Sequence, residues 1–288
     1  MTGHSTQTIE RALGDFARAR LPFWAAELAM FVLKQAWACL FGGLLLAAII
    51  ASKLFWQPDW PIARYDALFL FALLVQAAFL RFGLETWAEA RVILLFHLTG
   101  MAMELFKTYA GSWAYPEDAL FRIMAVPMFS GFMYAAVGSY IARVIRIFDT
   151  RFTPYPPLWA SFALGGAIYV NFLSHHFLPD IRIALFAFTL LLYARCRVYF
   201  HVFQREWWMP LPLASFLASL ALWIAENVGT LTGTWVYAGQ ARLELVSLAK
   251  IGSWYLLLYV AFVTVTIVLR GALNANPYLH RGAQPPQC

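Results

Sequence analysis

Long apolar runs alternate with short polar segments along most of the chain. Eight runs of about 20 residues have the length that a helix needs to cross the hydrocarbon core of a bilayer. Because backbone groups in lipid must be hydrogen-bonded within their own segment, the runs predict helices rather than strands. They lie near residues 31–54, 63–82, 89–107, 121–145, 157–178, 182–202, 209–228 and 244–269.

The composition agrees with this pattern. Hydrophobic residues make up 62% of the chain and charged residues 12%, whereas a soluble domain carries about 25% charged residues. We therefore predict an all-α polytopic membrane protein with about eight transmembrane helices and the lipid bilayer as its surroundings. The three cysteines, Cys39, Cys196 and Cys288, are too scattered for a disulfide framework or a zinc site.

The net charge of +6 indicates orientation rather than a nucleic-acid partner. When the 21 Lys and Arg residues are assigned to alternating sides of eight spans, 13 fall on the side of both termini and seven on the other, with Lys34 inside the first span. Positive charge marks the cytoplasmic side. We therefore expect both termini to be cytoplasmic in a bacterial inner membrane.

A twelve-residue motif occurs twice, 122 residues apart. The segments Glu104–Tyr115 and Glu226–Tyr237 share Glu, Thr, Gly, Trp and Tyr at relative positions 0, 4, 7, 9 and 11, and residues 37–38 match residues 159–160 at the same offset. This pattern predicts an internal repeat. Four helices are an even number, so the two repeats would be parallel, and both motif loops would face outward.

The predicted organisation has five segments. Residues 9–21 form a short amphipathic pattern typical of a helix on the membrane surface, and a proline-rich stretch separates the two repeats. The predicted segments are a cytoplasmic amphipathic N-terminus (1–24), a first four-helix repeat (25–147), a cytoplasmic linker (148–156), a second four-helix repeat (157–271) and a disordered cytoplasmic tail (272–288).

The two motif glutamates are the first candidates for chemistry. Glu104 and Glu226 end helices three and seven, where the helix dipole disfavours a carboxylate. They would be either a buried acid/base or substrate-orienting pair, or residues that only tie down the outer loops. Lys107 is a candidate partner for Glu104 and Lys250 for Glu226. His97, near the middle of helix three, is either a second proton carrier or a hydrogen-bonded core residue.

Aromatic and polar residues near the glutamates complete the candidate site. The motif aromatics lie where an interfacial aromatic belt belongs, or they contact an apolar ligand, and the glycines at 111 and 233 would allow a tight turn over each glutamate. The predicted catalytic residues are Glu226, Glu104, His97 and His175, and the predicted substrate-binding residues are Trp113, Tyr115, Trp235, Tyr237, Asn171, Asn227 and Lys250.

Two families share these motifs. The tracts 103–116 and 226–237 resemble an uncharacterised bacterial integral-membrane family known as a domain of unknown function, which implies a multi-span inner-membrane fold and no activity. The motif Glu-x-x-Gly-x-x-Thr-Gly followed by an aromatic is similar to that of membrane-embedded carotenoid hydratases and lycopene cyclase domains, and it is matched by Glu226, Gly229, Thr232, Gly233 and Tyr237.

The second resemblance implies that Glu226 is an acid that protonates an isoprenoid double bond. The first motif copy departs from the pattern, with Lys107 in place of the first glycine and Ala110 in place of the threonine. This departure puts the same role for Glu104 in doubt.

Three functions fit the sequence. The first is a membrane-embedded enzyme acting on an apolar, isoprenoid-like or lipid-like substrate by acid/base chemistry. The alternative is a transporter or binding protein for a small solute, with the site between the two repeats, and the third is a structural or assembly factor without turnover. The chain has no nucleotide-binding, serine-hydrolase or zinc-protease motif, so neither a cofactor nor a metal is expected.

Overall fold

The computed structural model describes residues 3–57, 59–175, 177–241 and 244–273. This part of the chain is mainly helical, as predicted. Its α-helices, in chain order, are α1 (Gly3–Arg20), α2 (Phe23–Ala38), α3 (Leu40–Phe55), α4 (Arg64–Arg81), α5 (Trp87–Tyr109), α6 (Phe129–Ile147), α7 (Leu158–Ser174), α8 (Arg182–Tyr193), α9 (Leu211–Leu231) and α10 (Ala249–Val268).

Short strands connect several of the helices. Strands β1 (Trp113–Ala114) and β7 (Val236–Tyr237) pair with each other, as do β2 (Arg122–Ile123) and β3 (Val126–Pro127). A three-stranded antiparallel sheet has the order β4-β5-β6 and is formed by β4 (Arg151–Thr153), β5 (Arg197–His201) and β6 (Glu206–Pro210).

The helices follow the apolar runs with three differences. The first run is broken at Cys39, where α2 and α3 meet at a bend of 68°. The run at 121–145 becomes helical only from Phe129, after the β2–β3 hairpin. The run at 182–202 is helical only to Tyr193, and its last part forms β5. The aromatic and β-branched residues of β5 fit a pleated strand as well as a helix, so hydrophobicity alone does not separate the two.

The predicted linker contains a strand and the predicted N-terminal segment contains a helix. The linker 148–156 contains β4, which pairs with β5. The predicted N-terminal helix is present as α1, with Leu13 and Phe16 exposed, and its position on the membrane surface stays a prediction. The 3-10 turn Arg270–Ala272 follows α10, and residues 274–288 of the predicted tail lie outside the described residues.

Among the described residues, two helices, α9 and α10, are long and apolar enough to cross a membrane. The bent pair α2–α3 would be a third if its two helices form one span. Together with the hydrophobic composition, these helices identify a membrane protein. Helix α8 has 12 residues and is therefore about 18 Å long, less than the hydrocarbon thickness of about 30 Å. The count of eight spans stays a prediction.

Two hydrophobic cores correspond to the two halves of the chain. The first is built mainly from α3, α4, α5 and α6, and the second from α7, α8, α10 and the three-stranded sheet. Helices α5 and α6 pack closely because Gly131 lies against His97 and Gly138 lies against Phe96, as small residues allow in membrane proteins. A Cβ added at Gly43 of α3 would meet no atom within 4 Å, so this glycine is not needed for close packing.

A buried ion pair links α6 to the turn between α4 and α5. The sequence suggests that Arg143 is a cytoplasmic flanking residue, but its side chain is fully buried and lies 3.4 Å from Glu85, which is also fully buried. Ser139 and Gln76 donate hydrogen bonds to the same carboxylate, and the Arg143 guanidinium lies over the Phe79 ring. Burial raises the pKa of Glu85, and the charge of Arg143 opposes this shift.

We expect Glu85→Ala to lower the free energy of unfolding by about 3–5 kcal/mol, because it leaves the Arg143 charge buried without its partner. Equilibrium unfolding in detergent micelles measures this change. Replacing both Glu85 and Arg143 by Leu should restore much of the loss. The exposed pair Asp118–Arg122 provides the control, since Asp118→Ala should have little effect. Equal effects of Glu85→Ala and Asp118→Ala would contradict the prediction.

Candidate functional site

The two motif copies form equivalent turns at the ends of α5 and α9. Gly111 and Gly233 both have a positive φ, 70° and 67°. In each copy the amide after the glycine donates to the carbonyl five residues earlier, at 2.9 Å. This is a left-handed helix C-cap, in which glycine avoids steric strain. The glycines therefore reverse the chain direction and carry the aromatic residues back over the glutamate, as predicted.

Glu104 is buried and accepts three hydrogen bonds from neutral donors. The Trp113 indole donates to Oε2 at 2.7 Å and the Tyr115 hydroxyl to the same oxygen at 2.8 Å. The Tyr134 hydroxyl, from α6, donates to Oε1 at 2.6 Å. Lys107, the partner suggested by sequence, has its ammonium 4.2 Å from the ring centre of Phe172. The donors that hold this carboxylate are therefore aromatic side chains.

Glu226 has the corresponding contacts in the second copy. Its Oε1 accepts from the Trp235 indole at 3.0 Å and from the Tyr237 hydroxyl, and Trp254 of α10 lies close enough to interact with the carboxylate. The Lys250 ammonium lies 3.9 Å from the centre of the Tyr237 ring. Lys250 is thus near Glu226, as the sequence suggests. Its ammonium contacts the ring of Tyr237, whose hydroxyl donates to the Glu226 carboxylate.

The loop tyrosines are suited to act as donors. Burial raises the pKa of Tyr115 well above its usual range, and the charge of Glu104 raises it further. The pKa of Tyr237 is raised by the same two causes, burial and then the charge of Glu226. Both hydroxyls therefore stay protonated at neutral pH and can donate to the carboxylates.

Pairing of β1 with β7 brings the two motifs together. Trp113 lies opposite Tyr237 and Ala114 opposite Val236. Ala114 and Val236 occupy the same position in the motif, so the pair has a local twofold relation. The Trp113 and Tyr237 rings meet edge to face at 5.8 Å. The charge of Glu226 is near enough to act on Glu104.

Both glutamates line one cavity of about 620 Å³. The cavity lies between α3, α6, α9 and α10. Lining residues run from Met133 of α6 to Phe148, just after the helix ends, a rise of about 23 Å. Alanines on one face of α9 leave much of this space open. The α9 residues that line it are Ala214, Leu217, Ala218, Ala221, Leu222, Ala225 and Glu226.

The motif aromatics and Lys250 also line this cavity, whereas the other candidates do not. His97 packs against Phe132, with ring centres 4.5 Å apart, between α5 and α6. The Asn227 amide donates to the Trp223 carbonyl, and its oxygen accepts from the Val246 amide. The structure thus places His97 in the core of the first half, and Asn227 holds the loop before α10.

Asn171 and His175 lie at the end of α7. The Asn171 side chain binds Asp180 and the Ile181 amide, both at 3.1 Å. His175 Nδ1 lies 3.0 Å from the Phe172 carbonyl oxygen. These contacts stabilise the turn between α7 and α8, so neither residue is brought to the glutamates. Among the described residues, no group of three His, Cys, Asp or Glu residues is arranged to hold a metal ion.

Sequence reasoning missed several residues of the site, including Trp254 beside Glu226. Tyr134 supplies the third donor to Glu104, and Phe172 lines the cavity beneath Lys107. Tyr134 lies between Gly131 and Gly138 in the sequence, and small residues of this kind favour close helix packing in membranes. Its ring fits against Gly100 of α5, where an added Cβ would lie 2.7 Å from the Tyr134 Cβ. The two glycines were the sequence signal that could have indicated Tyr134 as a residue packed between α5 and α6.

Gly229 provides a test of the contact between Trp235 and Glu226. A Cβ on Gly229 would lie 1.8 Å from the Trp235 ring, whereas a Cβ on Gly43 would meet nothing within 4 Å. We expect Gly229→Ala to displace the indole from Glu226 and to lower the free energy of unfolding by about 1–3 kcal/mol through overpacking. Gly43→Ala should be neutral or stabilising, because alanine favours helix.

Unfolding midpoints in detergent measure both variants. Equal midpoints for Gly229→Ala and Gly43→Ala would contradict the prediction, because they would show that the packing of the Trp235 indole does not require a glycine at position 229.

Known proteins show the following similarities. The crystal structure of MvINS, an Insig homologue from Mycobacterium vanbaalenii, matches 64% of this chain and 95% of its own, with a TM-score of 0.47 and 13% identity. "Uncharacterized protein YoaT" of Bacillus subtilis (strain 168) is 40% identical over 240 residues, 83% of this chain and 90% of the relative. Residues 27–262 match the family described as "Protein of unknown function (DUF817)". The chain therefore belongs to the DUF817 family.

Proposed function

We propose that this protein is a membrane-embedded enzyme that binds an amphiphilic, lipid-like or isoprenoid-like molecule and acts on its reactive end by acid/base chemistry. The observation that carries the proposal is that Glu104 and Glu226 line the same long, mainly apolar cavity. A cavity with apolar walls and a few convergent polar groups is typical of a small-molecule site. The apolar chain would lie along α6 and α9, with the reactive group beside the carboxylates.

The two carboxylates are suited to different roles. An ionised carboxylate can accept about four hydrogen bonds, and Glu104 already accepts three. The bonds that Glu226 accepts from its own loop both end on Oε1. Its second oxygen, Oε2, can therefore accept a hydrogen bond from Trp254 or from a ligand. We therefore assign proton transfer to Glu226, and to Glu104 the role of orienting Tyr134, which also lines the cavity.

The carotenoid-hydratase resemblance agrees with this division of roles. It implies that Glu226 protonates a double bond, and Glu226 lies in the motif copy that fits the family pattern. The aromatic rings around it would stabilise a developing positive charge through their faces. Protonation of an isoprenoid double bond is therefore one specific form of the proposed chemistry.

A transporter would need its halves to rock around the site. The β1–β7 pair joins the motif loops of the two halves directly, and the wall that α9 contributes is apolar up to Glu226. Both observations favour a site whose two halves do not move relative to each other. They support the enzyme over the transporter.

We also propose that the membrane domain consists of two parallel four-helix repeats, residues 25–147 and 157–271, in a bacterial inner membrane with cytoplasmic termini. The order α3, α4, α5 and α6 in the first half matches the order α7, α8, α9 and α10 in the second. The equivalent glycine turns and the local twofold relation of β1 and β7 support a duplication.

The test uses purified protein in lipid nanodiscs, loaded from a total bacterial lipid extract and analysed by mass spectrometry. Ala221 lines the cavity, so Ala221→Phe should reduce the retained lipid at least about tenfold, the effect of roughly 1.4 kcal/mol in binding. Ala187 of α8 is exposed, and Ala187→Phe is the matched control. Unchanged lipid retention in Ala221→Phe would rule out the cavity as the binding site.

Glu226→Gln tests the chemistry separately. It should retain the same lipid as the wild type while converting it at least about a hundredfold more slowly, because a general acid or base contributes about 10²–10⁴ to the rate. Product formation is measured by mass spectrometry after incubation with the retained lipid. Equal conversion by Glu226→Gln would remove Glu226 from the mechanism, and retention without conversion in the wild type would indicate a binding protein.

A further inference from the structure

The end of the cavity remote from the glutamates is lined by three phenylalanines. Phe31 and Phe148 have ring centres 5.7 Å apart, Phe31 and Phe200 6.1 Å, and Phe148 and Phe200 6.2 Å. Each ring therefore contacts the other two, and together they form what we call the end wall. Phe148 is almost fully buried, so the wall belongs to the protein interior.

The end wall is assembled from two of the three places where the chain departs from the predicted helices. Phe31 comes from α2, which is turned away from the axis of α3 by the 68° bend at Cys39. Phe200 comes from β5, which replaces the last part of the predicted sixth span. A straight first span or a longer α8 would place neither ring in its present position. Both irregularities thus contribute to the same wall.

A charged group lies behind the wall. The Lys34 ammonium is 5.5 Å from the centre of the Phe148 ring and donates to the His201 carbonyl at 3.2 Å. An apolar chain that extended past the rings would meet this buried charge, which is unfavourable for hydrocarbon. The rings therefore lie next to a buried charge, which disfavours the extension of an apolar chain in this direction.

We propose that the end wall of Phe31, Phe148 and Phe200 sets the length of the apolar chain that the cavity accepts. The proposal rests on the proposed function, in which the reactive end of the ligand lies at Glu104 and Glu226. If the reactive end of the ligand lies at the glutamates and its other end meets the phenylalanine rings, the distance between them along α6 limits the length of the ligand's apolar chain. Ligands with chains too long for this distance would bind only by bending or by displacing a ring.

The test compares binding of a graded series of straight-chain fatty alcohols to protein in nanodiscs, by competition and mass spectrometry. Phe200 is only partly buried, whereas Phe148 is almost fully buried, so Phe200→Ala should damage the fold less than Phe148→Ala. It should shift the preferred chain toward longer alcohols by about three to five carbon atoms, the size of the deleted ring. Val144 lines the cavity one helical turn before Phe148, and Val144→Phe should shift the preference toward shorter alcohols.

Phe188 of α8 is exposed, and Phe188→Ala is the control that should keep the wild-type preference. A wild-type protein that binds no member of the series would overturn both the proposed function and the end wall's role. A wild-type protein that binds with a clear length preference, unchanged in both Phe200→Ala and Val144→Phe, would overturn the end wall's role alone. Opposite shifts in the two variants would support it.

Discussion

The need to compensate two buried carboxylates organises this structure. A charge in an apolar interior is costly unless it is hydrogen-bonded, and each motif carries its own donors, a Trp and a Tyr nine and eleven residues after the Glu. Those donors reach the carboxylate only if the chain reverses at the helix end, which requires the left-handed glycine. Reversal places β1 and β7 side by side. The link between the two halves thus follows from a local constraint.

The two copies have diverged around this shared arrangement. In the first copy a third donor, Tyr134, fixes Glu104, and Lys107 rests on Phe172. In the second, Gly229 makes room for Trp235, and Lys250 rests on Tyr237. The third neighbour of the carboxylate thus comes from α6 in the first copy, as Tyr134, and from α10 in the second, as Trp254. In the proposed function, these different surroundings assign positioning to Glu104 and proton transfer to Glu226.

The opposite end of the molecule closes the cavity by other means. There the Glu85–Arg143 pair fixes α6 against the turn before α5, while α2 and the three-stranded sheet bring phenylalanines across the end of the cavity. Replacing a buried ion pair by apolar residues is often neutral for stability, whereas removing one partner is costly. The bend between α2 and α3 and the early end of α8 place Phe31 and Phe200 at this end of the cavity.

The sequence by itself determined what depends on neighbouring residues. Apolar run length predicted the helices, and the twelve-residue motif predicted the glycine turns and the grouping of Glu with Trp and Tyr, because all of these form within a few turns of chain. Only the tertiary structure decided which helix faces meet. It joined Tyr134 to Glu104, opened the cavity along the α9 alanines, bent the chain at Cys39, and placed His97, Asn171, His175 and Asn227 elsewhere. A helix that is apolar on every side gives no signal of which face its neighbours cover, so packing had to settle those positions.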